Sequence, residues 1–320
     1  MKGFISKDLH PFNNIMLLFA AMVAGLCVAY FVFLIVLSIG FGYGLNDLPG
    51  ITNEPADYPN GLTIVLLFQG LVHLLAFTIG PLLFLKFRQT DLNDYLSPKT
   101  FTPVGLLLLS GLLFLVIMPA NSWMISYNAT LDLPDFMSGF EQWAKAKEEA
   151  ARILTQKLTK FESLPQFILG AIVVAAIPAI GEELVFRGIL QPNLIAWTKN
   201  KHAGVWLAAI VFSAIHFQFY GFIPRMLLGA LFGYLYLWSG RIWVPIFGHF
   251  VNNGFTVLML YLYQRKMSAI DFESTEALPI TYILFSLVVT FALLYVLYNG
   301  FKKVPYKPEV LPVNHHPNNL

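Results

Sequence analysis

Eight apolar stretches constrain this chain more than anything else in it. They run at about 14–41, 62–86, 103–125, 166–190, 203–219, 222–239, 242–263 and 279–300. A helix needs about 20 apolar residues to cross the hydrocarbon core of a bilayer. The pattern therefore predicts an all-α, polytopic membrane protein of about eight transmembrane helices. The fifth and sixth stretches are short and closely joined around Tyr220 and Gly221. The first follows Lys2 and Lys7, as a signal peptide would. At about 25 residues it is too long for a signal-peptide core and reads as an uncleaved first helix. Composition agrees: 57% of the 320 residues are hydrophobic and 12% charged, about half the charge of a soluble domain. The net charge of +2 is scattered, so nothing suggests a nucleic-acid partner; the lipid bilayer is the implied surrounding. The single cysteine, Cys27, excludes an intrachain disulfide.

The loops orient these helices. Lys86, Arg88 and Lys99 lie between helices two and three, Lys199 and Lys201 between four and five, and Arg241 between six and seven. The loop between helices one and two has Asp47, Glu54 and Asp57 and no Lys or Arg. The positive-inside rule then places both termini in the cytoplasm of an integral protein of the cell membrane. Arg265 and Lys266 run against the rule, with Asp271, Glu273 and Glu276 following them. Four segments result: N-terminal helices at 1–130, a connecting segment at 131–165, a core at 166–300 and a cytoplasmic tail at 301–320. Within the connection, Phe140, Trp143, Ala144, Leu154, Leu158 and Phe161 recur near helical spacing among charged residues. That pattern predicts an amphipathic helix, interfacial or capping the bundle.

Ionisable groups in hydrocarbon are costly unless paired or wet, so those inside spans are functional candidates. Glu182, Glu183 and Arg187 stand in the fourth span, His216 in the fifth, His249 and Asn253 in the seventh. Adjacent helical residues diverge by about 100°, whereas residues four apart share a face. Glu183 and Arg187 thus read as a structural ion pair, leaving Glu182 as a general base. His216 can hold a water against that carboxylate. His249 and Asn253, also four apart, can donate to a developing oxyanion. Together they describe acyl hydrolysis by activated water without a covalent intermediate. Glu182, His216 and His249 also form a donor set that catalytic zinc sites use, and spacing does not choose between the two. An intramembrane Glu and His also suit a proton-coupled transporter, and a scaffold could retain the motif for stability. Helical rise puts Glu182 roughly 12 Å and His249 roughly 10 Å from the cytoplasmic ends of their spans, but His216 roughly 20 Å. His73, near Gln69 in the second span, reads as a satisfied packing contact.

Glu-Glu-x-x-x-Arg at 182–187, Phe-x-x-x-His at 212–216 and His-x-x-x-Asn at 249–253 occur in order on successive spans. The set resembles the CPBP intramembrane proteases, which include CAAX prenyl proteases and bacterial members linked to bacteriocin processing and immunity. The resemblance implies that Glu182 is the water-activating glutamate and His216 its partner. His249 and Asn253 would stabilise the oxyanion, with Glu183 and Arg187 in support. It implies a peptide or membrane-anchored protein substrate, prenylated in the eukaryotic case. Both a zinc and a metal-free glutamate mechanism have been argued for that family.

Overall fold

A computed structural model describes residues 9–88, 90–161, 163–268 and 278–307. Lys2, Lys7, Asp271, Glu273, Glu276 and the tail from 308 lie outside the described residues. Among the described residues the regular elements are helices, joined by turns and one isolated antiparallel bridge between Lys99 and Tyr306.

Among the described residues six helices are long and apolar enough to cross a membrane. They are α1 (Pro11–Gly40), α2 (Gly61–Phe87), α3 (Val104–Ala129), α5 (Leu164–Thr198), α7 (Phe222–Ser239) and α9 (Ile280–Lys302). Between them stand α4 (Ser138–Leu158), α6 (Lys201–Ala214) and α8 (Trp243–Gln264). The chain is a polytopic, all-α integral membrane protein. Seven expected spans fall on helices, although α5 runs on to Thr198 and α8 is not among the six long and apolar enough to cross; the amphipathic segment is the helix α4. The fifth expected span, 203–219, needs correcting. Its helix ends at Ala214 after 14 residues, a rise of about 21 Å against a hydrocarbon core of about 30 Å. His216 therefore lies in the turn beyond the helix and not inside it.

Three π-helical stretches interrupt two of these helices, at His73–Ile79 in α2 and at Ala171–Ala176 and Leu184–Leu190 in α5. Each ends two residues before a proline: Pro81, Pro178 and Pro192. Proline offers no N–H to the carbonyl four residues earlier, and its ring crowds that carbonyl. The helix upstream of each proline widens to i→i+5 bonding, a device common at functional sites.

The helices form two compact units. Among the described residues, one comprises 9–91, 154–185 and 253–268, the other 92–153, 186–252 and 278–307. In the first, Phe33 and Leu37 of α1 pack with Ile64, Val65 and Leu66 of α2, Ile51, Leu158 and Val173. In the second, Leu113 and Phe114 of α3 meet Phe232 and Leu235 of α7, Val244 of α8, and Leu297 and Phe301 of α9. Fully burying such a side chain contributes about 1.5–3 kcal/mol.

Also in the second unit, buried Lys99 donates from Nζ to the carbonyls of Trp238 and Phe301, both at 2.7 Å. One ammonium thus caps the C-termini of α7 and α9, where a helix leaves carbonyls without partners and favours positive charge. Burial pushes the Lys99 pKa down to about 8.

Candidate functional site

In the first unit, the Ser163 side chain caps α5, accepting from the Gln166 N–H at 3.4 Å. The helix then runs inward to Glu182 and Glu183, both buried. Gly181 allows close approach to α2: a Cβ there would sit 2.8 Å from Thr78 Oγ1 and 2.9 Å from Phe77 Cβ. That approach brings Glu182 Oε1 to 3.8 Å from His73 Nδ1. His73 Nε2 lies 3.0 Å from Gln69 Nε2, and the ring stacks on Phe77 with centroids 5.1 Å apart. The bond between His73 and Gln69 is as the sequence suggests. The contact with Glu182 is not, and His73 joins the candidate residues.

Asn253, on α8 in the same unit, donates from Nδ2 to the Val174 carbonyl at 3.4 Å. Val174 is four residues before Pro178, which has no N–H to offer it. A loss in one helix's hydrogen-bond ladder is thus compensated by a motif side chain on another.

In the second unit one aromatic ring organises the remaining motif residues. Phe212 of α6 lies 4.4 Å from the Arg187 guanidinium carbon, with ring centroids 5.4 Å from His216 and 6.2 Å from His249. His249 also stacks on Phe232 at 4.8 Å. Arg187, fully buried, donates from Nη2 to the Gly229 carbonyl at 2.8 Å. One turn on, Gln191 Nε2 donates to the Gly233 carbonyl at 3.1 Å. A Gly-x-x-x-Gly face on α7 thus receives two polar side chains from α5. Small residues at this spacing let helices approach closely in membranes. The motif was present in the sequence as the signal for this contact. The four-residue arithmetic linking Glu183 to Arg187 presumes an α-helix, and a π stretch starts between them at Leu184.

His216 is fixed by its own turn. Its Nδ1 lies 2.9 Å from the Phe212 carbonyl. A carbonyl only accepts, so Nδ1 carries the proton and Nε2 is the acceptor nitrogen. The next residue, Phe217, has a φ of +53°, a left-handed conformation that is a genuine outlier for a bulky side chain. The turn is clamped from several elements. Asn128 of α3 donates to the Tyr220 carbonyl at 3.1 Å, and Gln218 Nε2 donates to Glu148 Oε1 of α4 at 3.3 Å. Arg225 Nη2 donates to Gln218 Oε1 at 2.5 Å, and Phe140 of α4 packs edge-on against Phe219 at 5.2 Å. The amphipathic helix thus holds the turn that carries His216.

The structure brings Glu182 together with His73, and His216 and His249 together around Phe212. Among the described residues no group of three or more His, Cys, Asp or Glu is arranged to hold a metal ion.

Buried Glu182, Glu183 and His249 stand on helices of a polytopic membrane protein. Residues 164–255 match the family model described as Type II CAAX prenyl endopeptidase Rce1-like. Three bacterial proteins are similar over part of the chain. YpbD of Bacillus subtilis, an uncharacterized protein, is 30% identical over 102 residues, 31% of this chain and 47% of that protein. YdiL of the same organism, a putative membrane peptidase, is 34% identical over 88 residues, 28% of this chain and 36% of that protein. MroQ of Staphylococcus aureus, a membrane-embedded CAAX protease, is 31% identical over 94 residues, 28% of this chain and 38% of that protein. The chain thus covers less than half the length of each of these relatives. No solved structure matches it. Residues 164–255 are thus similar to the CAAX prenyl endopeptidase family, in the segment that holds the three motifs.

Proposed function

We propose that the chain is an intramembrane endopeptidase that cleaves a peptide bond with water activated by Glu182. The observation that carries this reading is that Glu182, Glu183, Arg187, His216, His249 and Asn253 all fall inside the segment matching the endopeptidase family. Glu182 takes a proton from water as its oxygen attacks the scissile carbonyl carbon. Nε2 of His216 accepts the water's other O–H and orients it, a role its tautomer suits. His249, held by Phe212 and Phe232, and the second N–H of the Asn253 amide donate to the oxyanion. The C–N bond then breaks, and the proton on Glu182 passes to the leaving amine. The products are one carboxylate and one amine, with no covalent intermediate. Positioned bases and oxyanion donors each contribute factors of about 10²–10⁴.

The substrate is a peptide or a membrane-anchored protein, a prenylated one included, reached from the cytoplasmic side of the cell membrane, where both termini lie. A proton-coupled transporter is the second reading, favoured by the His73–Glu182 contact, since proton relays join such groups. One experiment separates the two. The purified chain in proteoliposomes is given a farnesylated CAAX peptide and an unlipidated membrane-anchored peptide, and products are read by mass spectrometry. Cleavage at one peptide bond supports the protease. Flux of intact substrate without cleavage supports the transporter.

A further inference from the structure

We infer that His73 is a positioning residue for Glu182, an inference that rests on the reading of Glu182 as the water-activating base. His73 lies in α2, outside the segment 164–255 that matches the endopeptidase family. Its geometry is specific. The Gln69 amide donates to Nε2 at 3.0 Å, so the ring proton is on Nδ1. Nδ1 is the atom that faces Glu182 Oε1, at 3.8 Å. That separation is longer than a hydrogen bond in the resting state, as catalytic contacts often are before substrate tightens them. Phe77 stacks on the ring and Gly181 sets the distance between α2 and α5. His73 also begins the π stretch that ends before Pro81, so the backbone that aims it is itself set by a proline.

The consequence is a division of labour between the two oxygens of one carboxylate. The Nδ1–H of His73 holds Oε1 and fixes the plane of the carboxylate. Oε2 is then presented to the water in one orientation. Gln69 acts one step further back by fixing the tautomer. The pair does for a carboxylate base what an outer-shell carboxylate does for a metal-bound histidine.

Two measurements on the full chain test this. The first is ¹⁵N NMR of His73, which needs no substrate. The ring proton is expected on Nδ1 in the wild type and no longer fixed there in Gln69→Leu; a proton on Nε2 in the wild type overturns the inference. The second is cleavage of a farnesylated CAAX peptide, with thermal unfolding measured on the same preparations. His73→Phe keeps the stack on Phe77 and is expected to lower kcat about tenfold or more, with KM and unfolding temperature near the wild type. His73→Asn, whose amide reaches the Nδ1 position, should recover part of that loss. The double variant His73→Phe/Glu182→Gln should be no slower than Glu182→Gln alone, because His73 works through Glu182. Wild-type kcat in His73→Phe, or losses that multiply in the double variant, overturn the inference and leave the protease reading intact. Full activity in Glu182→Gln removes the base assignment and this inference with it.

Discussion

Arg187 and Gly229 are joined by a buried hydrogen bond: the Nη2 of the one donates to the carbonyl of the other at 2.8 Å, with the guanidinium carbon 4.4 Å from the ring of Phe212. A Cβ at Gly229 would lie 3.0 Å from Phe212 Cδ1 and 3.2 Å from that nitrogen. Gly229→Val should therefore displace both partners and cost about 1–3 kcal/mol of stability. Because Phe212 also supports His216 and His249, turnover should fall more than the unfolding temperature predicts. Thermal unfolding in detergent beside peptide cleavage checks it; unchanged values in both assays would contradict the packing.

The strain at Phe217 gives a second expectation. Its left-handed backbone costs about 1–2 kcal/mol that glycine would not incur. Phe217→Gly should leave stability unchanged or slightly higher, since most of the side chain is exposed. Glu148→Ala acts oppositely, releasing Gln218 and loosening the turn that aims His216. Cleavage should drop in Glu148→Ala although the residue is on a surface helix. Equal kcat in that variant and the wild type would remove the clamp assigned to α4.

Much of this was legible in the sequence, because hydrophobic length is a coarse signal. α1, α2, α3, α5, α7, α8 and α9 sit where their apolar runs are. The fifth run misled because Ile215 to Phe219 is apolar enough to continue a helix, while the backbone reverses at Phe217. The π stretches were marked by Pro81, Pro178 and Pro192, but a face drawn at 100° per residue has no place for them. His73 reads from sequence as a packing contact because a lone polar residue in a span is usually satisfied locally. It is, by Gln69, and only the approach at Gly181 shows that its other nitrogen meets Glu182. The grouping of Phe212 with Arg187, His216 and His249 depends on tertiary packing that no one-dimensional spacing encodes.

Lys99 supplies a pH dependence outside the chemistry. Its pKa falls from an ordinary 10.5 to about 8 on folding. Between those values the unfolded chain binds more protons, so stability from this group rises with pH across that window. It is fully present above 10.5 and lost as pH falls through about 8. Lys99→Met should abolish that rise. It should also cost about 2 kcal/mol at neutral pH by uncapping α7 and α9. Unfolding temperature against pH in both proteins measures the difference; parallel curves would contradict it.

Metal dependence is read by elemental analysis of the purified protein, with cleavage measured before and after chelation. The glutamate mechanism predicts full activity in protein that contains no stoichiometric zinc. Activity lost on chelation and restored by zinc would contradict it and return Glu182, His216 and His249 to the role of ligands.

The most direct test of the whole account is turnover by Glu182→Gln at matched amounts of folded protein. The substitution keeps the size of the side chain and removes its basicity. The account predicts a loss of about 10³-fold in kcat with little change in unfolding temperature. Cleavage at the wild-type rate would contradict it.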